Sequence, residues 1–343
     1  MKFNWCFSNS HKRVLFLLYA SVFVQALSKA GKHTYGLDKF WSGVLNQTKR
    51  GLEVSLVCAI NIRTGNTWSI SMRQTSNGLS SDEAKEAKTG FTRIDFYLEQ
   101  LERCIAQVPQ IQYYTADGYY AKKKVVDKVL SKDKHLISKL RPDANLRYLL
   151  DRKKNPTAHG NKKYDGKVNW KALNLDKWIL VGRDEKYAHL LLYTQILHSP
   201  QFKCNIKVVF VWNTRTNGYS VVFSTDTAQS AQQIVTYYQL RFKIEFIFRD
   251  AKQFTGLTHC QARDKDKLDF HFNMSVAALN IYQYQAIIEE KSLSLNSFVR
   301  KAYNTKFVQI LFDKLSSEPK FNVNYDIEHP IIQEVINLGQ MRV

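Results

Sequence analysis

Residues 237–254 read YYQLRFKIEFIFRDAKQF and set Tyr238, Arg241, Glu245 and Lys252 at intervals of three, four and seven. In one continuous helix of 3.6 residues per turn these offsets fall on a single narrow stripe, and Arg249 joins them. The rest of the segment is apolar and aromatic, as a buried helix would be. An unpaired buried ion costs several kcal/mol, so the stripe needs a polar partner. Asp117, which closes the short strand IQYYTAD, is a candidate. Carboxylates from a strand end and a nearby helix suit hard divalent cations. Two such ions about 3.5–4 Å apart clamp the attacking and leaving oxygens of a phosphodiester. Arg241 and Lys252 would then hold phosphates beside the metals, and Tyr238 could hydrogen-bond one. The plainer reading of the same residues is an ordinary Glu–Arg ion pair on a helix face.

Several elements must position these groups. Residues 14–24 read as a strand, followed by a turn-rich connection through SKAGKHTYGLDKFWSG. Two strands, 52–62 and 67–75, join at RTGN as a hairpin. A Ser-capped helix is expected over 80–107, then the strand ending at Asp117 and a helix beyond it. HLISKL, 135–140, is a further strand. From 177 to 226 the chain becomes a run of short strands, with Asn217-Gly218 as a hairpin turn. The helix carrying the stripe is expected over 229–254, and the remainder is largely helical. The order is α/β, then all-β, then helical: one core interrupted by a β module.

The chain has 50 Lys and Arg against 30 Asp and Glu, a formal charge of +20. Between Ala121 and Lys177 there are seventeen Lys or Arg and six Asp, a net of +11. So concentrated an excess points to a polyanion rather than a membrane surface, since no basic amphipathic helix has a clean apolar face. Cys6, Cys58, Cys104, Cys204 and Cys260 are widely spaced and odd in number. That fits neither a disulfide framework nor a zinc site, and reads as reduced thiols in a cytoplasmic protein. The basic lead and apolar run at 11–24 also have the pattern of a secretory signal. A secreted basic protein is therefore a further reading, with cleavage near Ala30.

Residues 238–252 spell Y-x2-R-x3-E-x6-K, which resembles the YREK signature of DDE transposases of insertion-sequence family four. AGKHTYGLDKFWSG with RGLEVS, TADGYYAKKK, and HLISKLRPDANLRY resemble other segments of that family, in its order, from about residue 14 to 300. The resemblance implies a ribonuclease-H-like mixed sheet flanked by helices, with an all-β insertion between the second and third catalytic acids. It implies a first core part over 14–141, a basic loop and insertion over 142–228, a second core part over 229–300 and a helical tail over 301–343. It also implies Mg²⁺, or Mn²⁺ in its place, two ions per intact site, cutting double-stranded DNA at transposon ends for transfer to target DNA. Asp117 would be the second acid and metal ligand, Glu245 the third. Tyr238, Arg241 and Lys252 would contact the DNA end, with Arg249 an added phosphate contact. An insertion aromatic, Trp212 or Tyr219, could hold a flipped base. A homodimer on paired ends and a cytoplasmic, nucleoid-associated location follow from the same likeness, and the apolar run becomes the first core strand.

Two departures stand out. Where the family's first strand has an acid in a context like LLDAS, this chain has LLYAS, with Tyr19 in its place. No Asp or Glu occurs between Met1 and Leu37, and Asp38 lies past the strand. A phenol with a pKa near 10 is a poor ligand for a hard cation. Only thirteen residues precede the strand, where the family has a DNA-recognising region. The expectation is a transposase with impaired cleavage that Tyr19→Asp would restore; the alternative is a non-catalytic DNA-binding remnant.

Overall fold

A computed structural model of the chain describes residues 18–29, 33–42, 46–76, 79, 90–151, 162–288, 294–317 and 326–339. Its strands are β1 (Leu18–Ser28), β2 (Asp38–Ser42), β3 (Gln47–Asn61), β4 (Thr67–Gln74), β5 (Tyr113–Ala116), β6 (His135–Leu140), β7 (Arg147–Leu149), β8 (Tyr164–Lys167), β9 (Ile179–Arg183), β10 (Leu190–Ser199), β11 (Cys204–Asn213) and β12 (Tyr219–Ser224). Its helices are α1 (Arg93–Gln107), α2 (Lys123–Leu130), α3 (Ala231–Leu240), α4 (Lys243–Phe254), α5 (Lys265–Ile288), α6 (Leu295–Ser316) and α7 (Pro330–Ile336). Two compact units share these residues. One comprises Met1–Val22, Ala59–Thr67 and Leu101–Arg241, the other Phe23–Cys58, Trp68–Gln100 and Phe242–Val343.

In the first unit β1 pairs parallel with β5, and β5 parallel with β6. Parallel neighbours need a crossover, which α2 provides between β5 and β6. It buries Val125, Val126 and Val129 and turns its lysines outward. From β6 the sheet continues antiparallel through β12, β11 and β10, with β7 and β9 both beside β10 and β8 beside β7. Asn217 takes a left-handed φ of 55° in the β11–β12 turn, a conformation Asn tolerates. Helix α3 lies on this sheet. Its Ala231, Ile234, Val235 and Tyr237 meet Ile137, Leu192, Val209, Val211 and Val222.

In the second unit β2 and β4 pair with β3. Alternation along β3 sends Leu52, Val54, Leu56 and Cys58 into a core with α4 and α5. The intervening Glu53 is also buried, and is satisfied by a network. Thr75 Oγ1 donates to it at 2.8 Å, and Tyr97 and Arg93 also bind it. Asn273 and Asn280 of α5, two turns apart, clamp the backbone of β4 at Met72 and Ser69 with paired hydrogen bonds of 2.8–3.0 Å. These bonds satisfy strand groups that would otherwise lie open.

The structure corrects several sequence expectations. Among the described residues the first strand runs over 18–28, four residues past the expected end at 24, while 14–17 lie outside the described residues; the turn-rich connection contains β2, whose five residues are too few for a visible alternation. Helix α1 begins at Arg93, while residues 80–89 of the expected helix lie outside the described residues. The single helix expected over 229–254 is two helices, α3 and α4. At the junction Arg241 N–H bonds the carbonyl of Tyr238 and Glu245 N–H that of Phe242, both three-residue steps. Such steps tighten a helix end, and no proline or glycine marks the place. Among the described residues Cys58, Cys104, Cys204 and Cys260 are free thiols, and no helix is long and apolar enough to cross a membrane.

Candidate active site

Asp117 directly follows β5 and caps a short 3-10 turn at Gly118–Tyr120, its Oδ1 accepting from Gly118 N–H at 2.7 Å. Its carbonyl accepts from Ser138 Oγ of β6 at 3.0 Å, which fixes the strand end. Gly118 is tight for a similar reason, since a Cβ there would come within 3.2 Å of the Lys139 carbonyl. The carboxylate is therefore held at the carboxyl ends of two parallel strands, the edge of α/β sheets where ligands commonly bind.

Helix α3 brings two further groups to this place. Ser230 and Gln233 form a reciprocal capping box at its start, and Tyr237 packs edge-on against Tyr113 of β5 at 5.6 Å. Tyr113 in turn donates to Asp226 Oδ2 at 2.7 Å, tying the lead-in of α3 to β5. At the other end of the helix, Arg241 sits over the ring of Tyr238, 5.6 Å from its centre. Burial pushes the Tyr238 phenol above its ordinary pKa, the Arg241 charge pulls it down, the Asp117 charge pushes it up, and a hydrogen bond with Arg241 pulls it down again. Asp117, Tyr238 and Arg241 thus belong to one unit, and the charge of Asp117 reaches the Tyr238 phenol.

Asp184, in the β9–β10 turn, was not singled out in the sequence. The residue is 3% exposed, and its carboxylate accepts from Lys186 and Tyr187 N–H at 3.0 and 2.7 Å and from Gln232 and Gln239 of α3 at 3.4 and 3.3 Å. The two glutamines lie two turns apart, so one carboxylate anchors most of α3.

Glu245, Arg249 and Lys252 belong to the second unit and share one face of α4. Ile244, Phe248 and Ala251, each one residue earlier, fill the core. Glu245 is half-buried in the first turn, where the helix dipole favours a carboxylate. Lys252 is half-buried in the last turn, and burial holds its ammonium below the ordinary range. Arg249 is exposed, pairs with Asp250 at 2.8 Å and lies over Phe246. Of the two aromatics weighed for a base, Trp212 of β11 pairs in register with Tyr219 of β12. Tyr219 is exposed and stacks on Phe210 at 5.1 Å.

The strand register bears on the missing acid. Tyr19 stands opposite Tyr113, and Val22 opposite Ala116, the residue before Asp117. At about 3.3 Å per residue, Tyr19 lies roughly 13 Å behind the level of Asp117. Asp38, in β2, is paired with Gly51, and its Oδ1 accepts from Lys39 N–H. Among the described residues no group of three or more His, Cys, Asp or Glu is gathered for a metal ion.

A family model described as transposase DDE domain matches residues 94–281, a little over half of the 343 residues. No curated protein matches the chain.

Proposed function

The chain belongs to the transposase DDE domain family, and from that membership we propose that it binds transposon-end DNA with a cleavage site short of one acid. The observation that carries the reading is Arg241 lying over the Tyr238 ring in the unit that also holds Asp117, whose charge reaches that phenol. These are the expected second acid and the first two positions of the YREK pattern. In this reading the core is ribonuclease-H-like, with β7–β12 as its insertion. Tyr238 donates its hydroxyl to a phosphate oxygen, and Arg241, fixed over the ring, supplies a planar cationic fork beside it. Lys252 is a further phosphate contact, because an anion would relieve the penalty of its buried charge. Arg249 contributes once its bond with Asp250 opens. The basic residues of 121–177 track the flanking duplex, and two copies act on paired ends.

Asp117 and Glu245 are the proposed carboxylates for Mg²⁺ or Mn²⁺. In this reading the first acid's place on β1 is proposed at the Val22 end rather than at Tyr19, since Val22 pairs with Ala116, the residue before Asp117. Neither Val22 nor Phe23 can ligate a cation, which accounts for a DNA-binding chain with impaired cleavage. Duplex binding across a salt series tests the DNA half of the proposal. Affinity should fall steeply with salt, and Arg241→Ala and Lys252→Met should each lower the logarithmic slope by about one. Binding insensitive to salt would overturn it.

The second reading, a remnant with no catalytic capacity, draws on the absence of a three-ligand cluster among the described residues. It differs in one outcome: no acid introduced on β1 would bring back cleavage.

A further inference from the structure

The two oxygens of the buried Asp184 carboxylate have separate partners. Oδ1 accepts from Lys186 and Tyr187 N–H and so shapes its own turn between β9 and β10. Oδ2 accepts from the side-chain amides of Gln232 and Gln239 on α3. An Asp that closes a turn on the backbone just ahead of it needs only the first oxygen. The second reaches a helix about fifty residues further along the chain.

The place of those bonds on α3 is specific. Ile234, Val235 and Tyr237 pack the helix on Val209 and Val222 of the sheet. Apolar packing is non-directional, so it holds a helix down more firmly than it resists turning about its own axis. Hydrogen bonds are directional and oppose that turning. Helix α3 ends at Leu240, and the Gln239 bond therefore lies in its last turn, between Tyr238 and Arg241.

The geometry points to Asp184 as a positioning residue for DNA: its bonds to Gln232 and Gln239 set the rotation of α3 and thereby the aim of Tyr238 and Arg241 at a DNA phosphate. The inference rests on the phosphate contacts proposed for those two groups, and adds a residue that itself touches no DNA. Such constellations are productive only within about 0.5 Å and 10–20°. Charge alone predicts the opposite effect, since an acid works against the approach of a polyanion and its removal should tighten binding. The sign of the change therefore separates the two roles.

The test is titration of a mixed-sequence duplex of about three helical turns, roughly 30 base pairs, across a salt series with the full chain. Affinities are read well below each melting transition. Asp184→Ala and Gln239→Met are compared with Glu185→Ala, which removes a charge from an exposed site in the same turn. The first two should each bind about five- to tenfold more weakly, with the logarithmic salt slope reduced toward that of Arg241→Ala. Glu185→Ala should bind as the unaltered chain does or slightly more tightly. In a Tyr238→Phe, Arg241→Ala background neither Asp184→Ala nor Gln239→Met should weaken binding further. Gln239→Met keeps the Asp184 charge and its turn bonds, so it decides the question even where Asp184→Ala does not fold. Unchanged or tighter binding by Gln239→Met would overturn the inference, as would an equal loss in the doubly substituted background. Normal binding by that background itself would refute the phosphate contacts, and the inference with them, which marks a failure of the underlying reading.

Discussion

Arg241 holds its guanidinium carbon 5.6 Å from the centre of the Tyr238 ring, three residues earlier in the chain, and the charge of Asp117 acts on that same phenol. A cation fixed on an aromatic face keeps its planar donors oriented, so less rotamer freedom is lost when a phosphate arrives.

Tyr238→Phe keeps the ring under Arg241 and removes only the hydroxyl. The expected outcome is an affinity for end DNA lower by about fivefold, the worth of roughly 1 kcal/mol, with the fold intact. Arg241→Ala should cost more and also reduce the salt slope. Gel-shift titrations over a salt series separate the two effects.

Lys252 gives a dependence on pH. Its folded-state pKa lies below that of the unfolded chain, so the unfolded state binds the proton more readily. Between the ordinary lysine pKa and the depressed value, stability therefore falls as pH falls, and at neutral pH the full penalty is present. Lys252→Met should raise the melting temperature at pH 7 and lose that gain toward pH 11. The same variant should bind DNA more weakly. Calorimetric melts at both pH values check the sign.

How much of this was legible beforehand follows from the range over which each signal acts. Strands β6 and β9–β12 were readable because their apolar runs end in turns such as Asn217-Gly218. The stripe of Glu245, Arg249 and Lys252 was readable because it lies inside one helix. The break between α3 and α4 was not, since Leu240-Arg241-Phe242 carries no residue that opposes a helix. The register of β1 on β5 was equally hidden. It is set by pairing across almost a hundred residues, and it stands Tyr19 opposite Tyr113 and Val22 opposite Ala116. Asp184 escaped notice because its partners, Gln232 and Gln239, come from a distant helix.

Asp184→Ala should loosen α3. Four N–H donors lose a buried acceptor, and an unsatisfied buried group costs about 1–3 kcal/mol. A melting temperature several degrees lower is expected, with faster amide exchange along α3. Exchange confined to the β9–β10 turn would show that the glutamine bonds contribute little.

Glu53→Ala should be more damaging. It removes the carboxylate that Thr75, Tyr97 and Arg93 share, and leaves a partly buried guanidinium without its pair. Breaking such a buried pair costs about 3–5 kcal/mol, enough to unfold a marginal domain. Denaturant titration monitored by circular dichroism would read the loss directly.

The most direct test of the central claim is nicking of a supercoiled plasmid carrying transposon ends, in Mg²⁺ and in Mn²⁺. The unaltered chain, Tyr19→Asp, Val22→Asp and Phe23→Asp would be compared, the last three also in a Glu245→Ala background. The account predicts little or no nicking by the unaltered chain and by Tyr19→Asp. Metal-dependent nicking should appear with Val22→Asp or Phe23→Asp and vanish without Glu245. Robust nicking by the unaltered chain, recovery with Tyr19→Asp alone, or silence from both Val22→Asp and Phe23→Asp while DNA binding persists would contradict it.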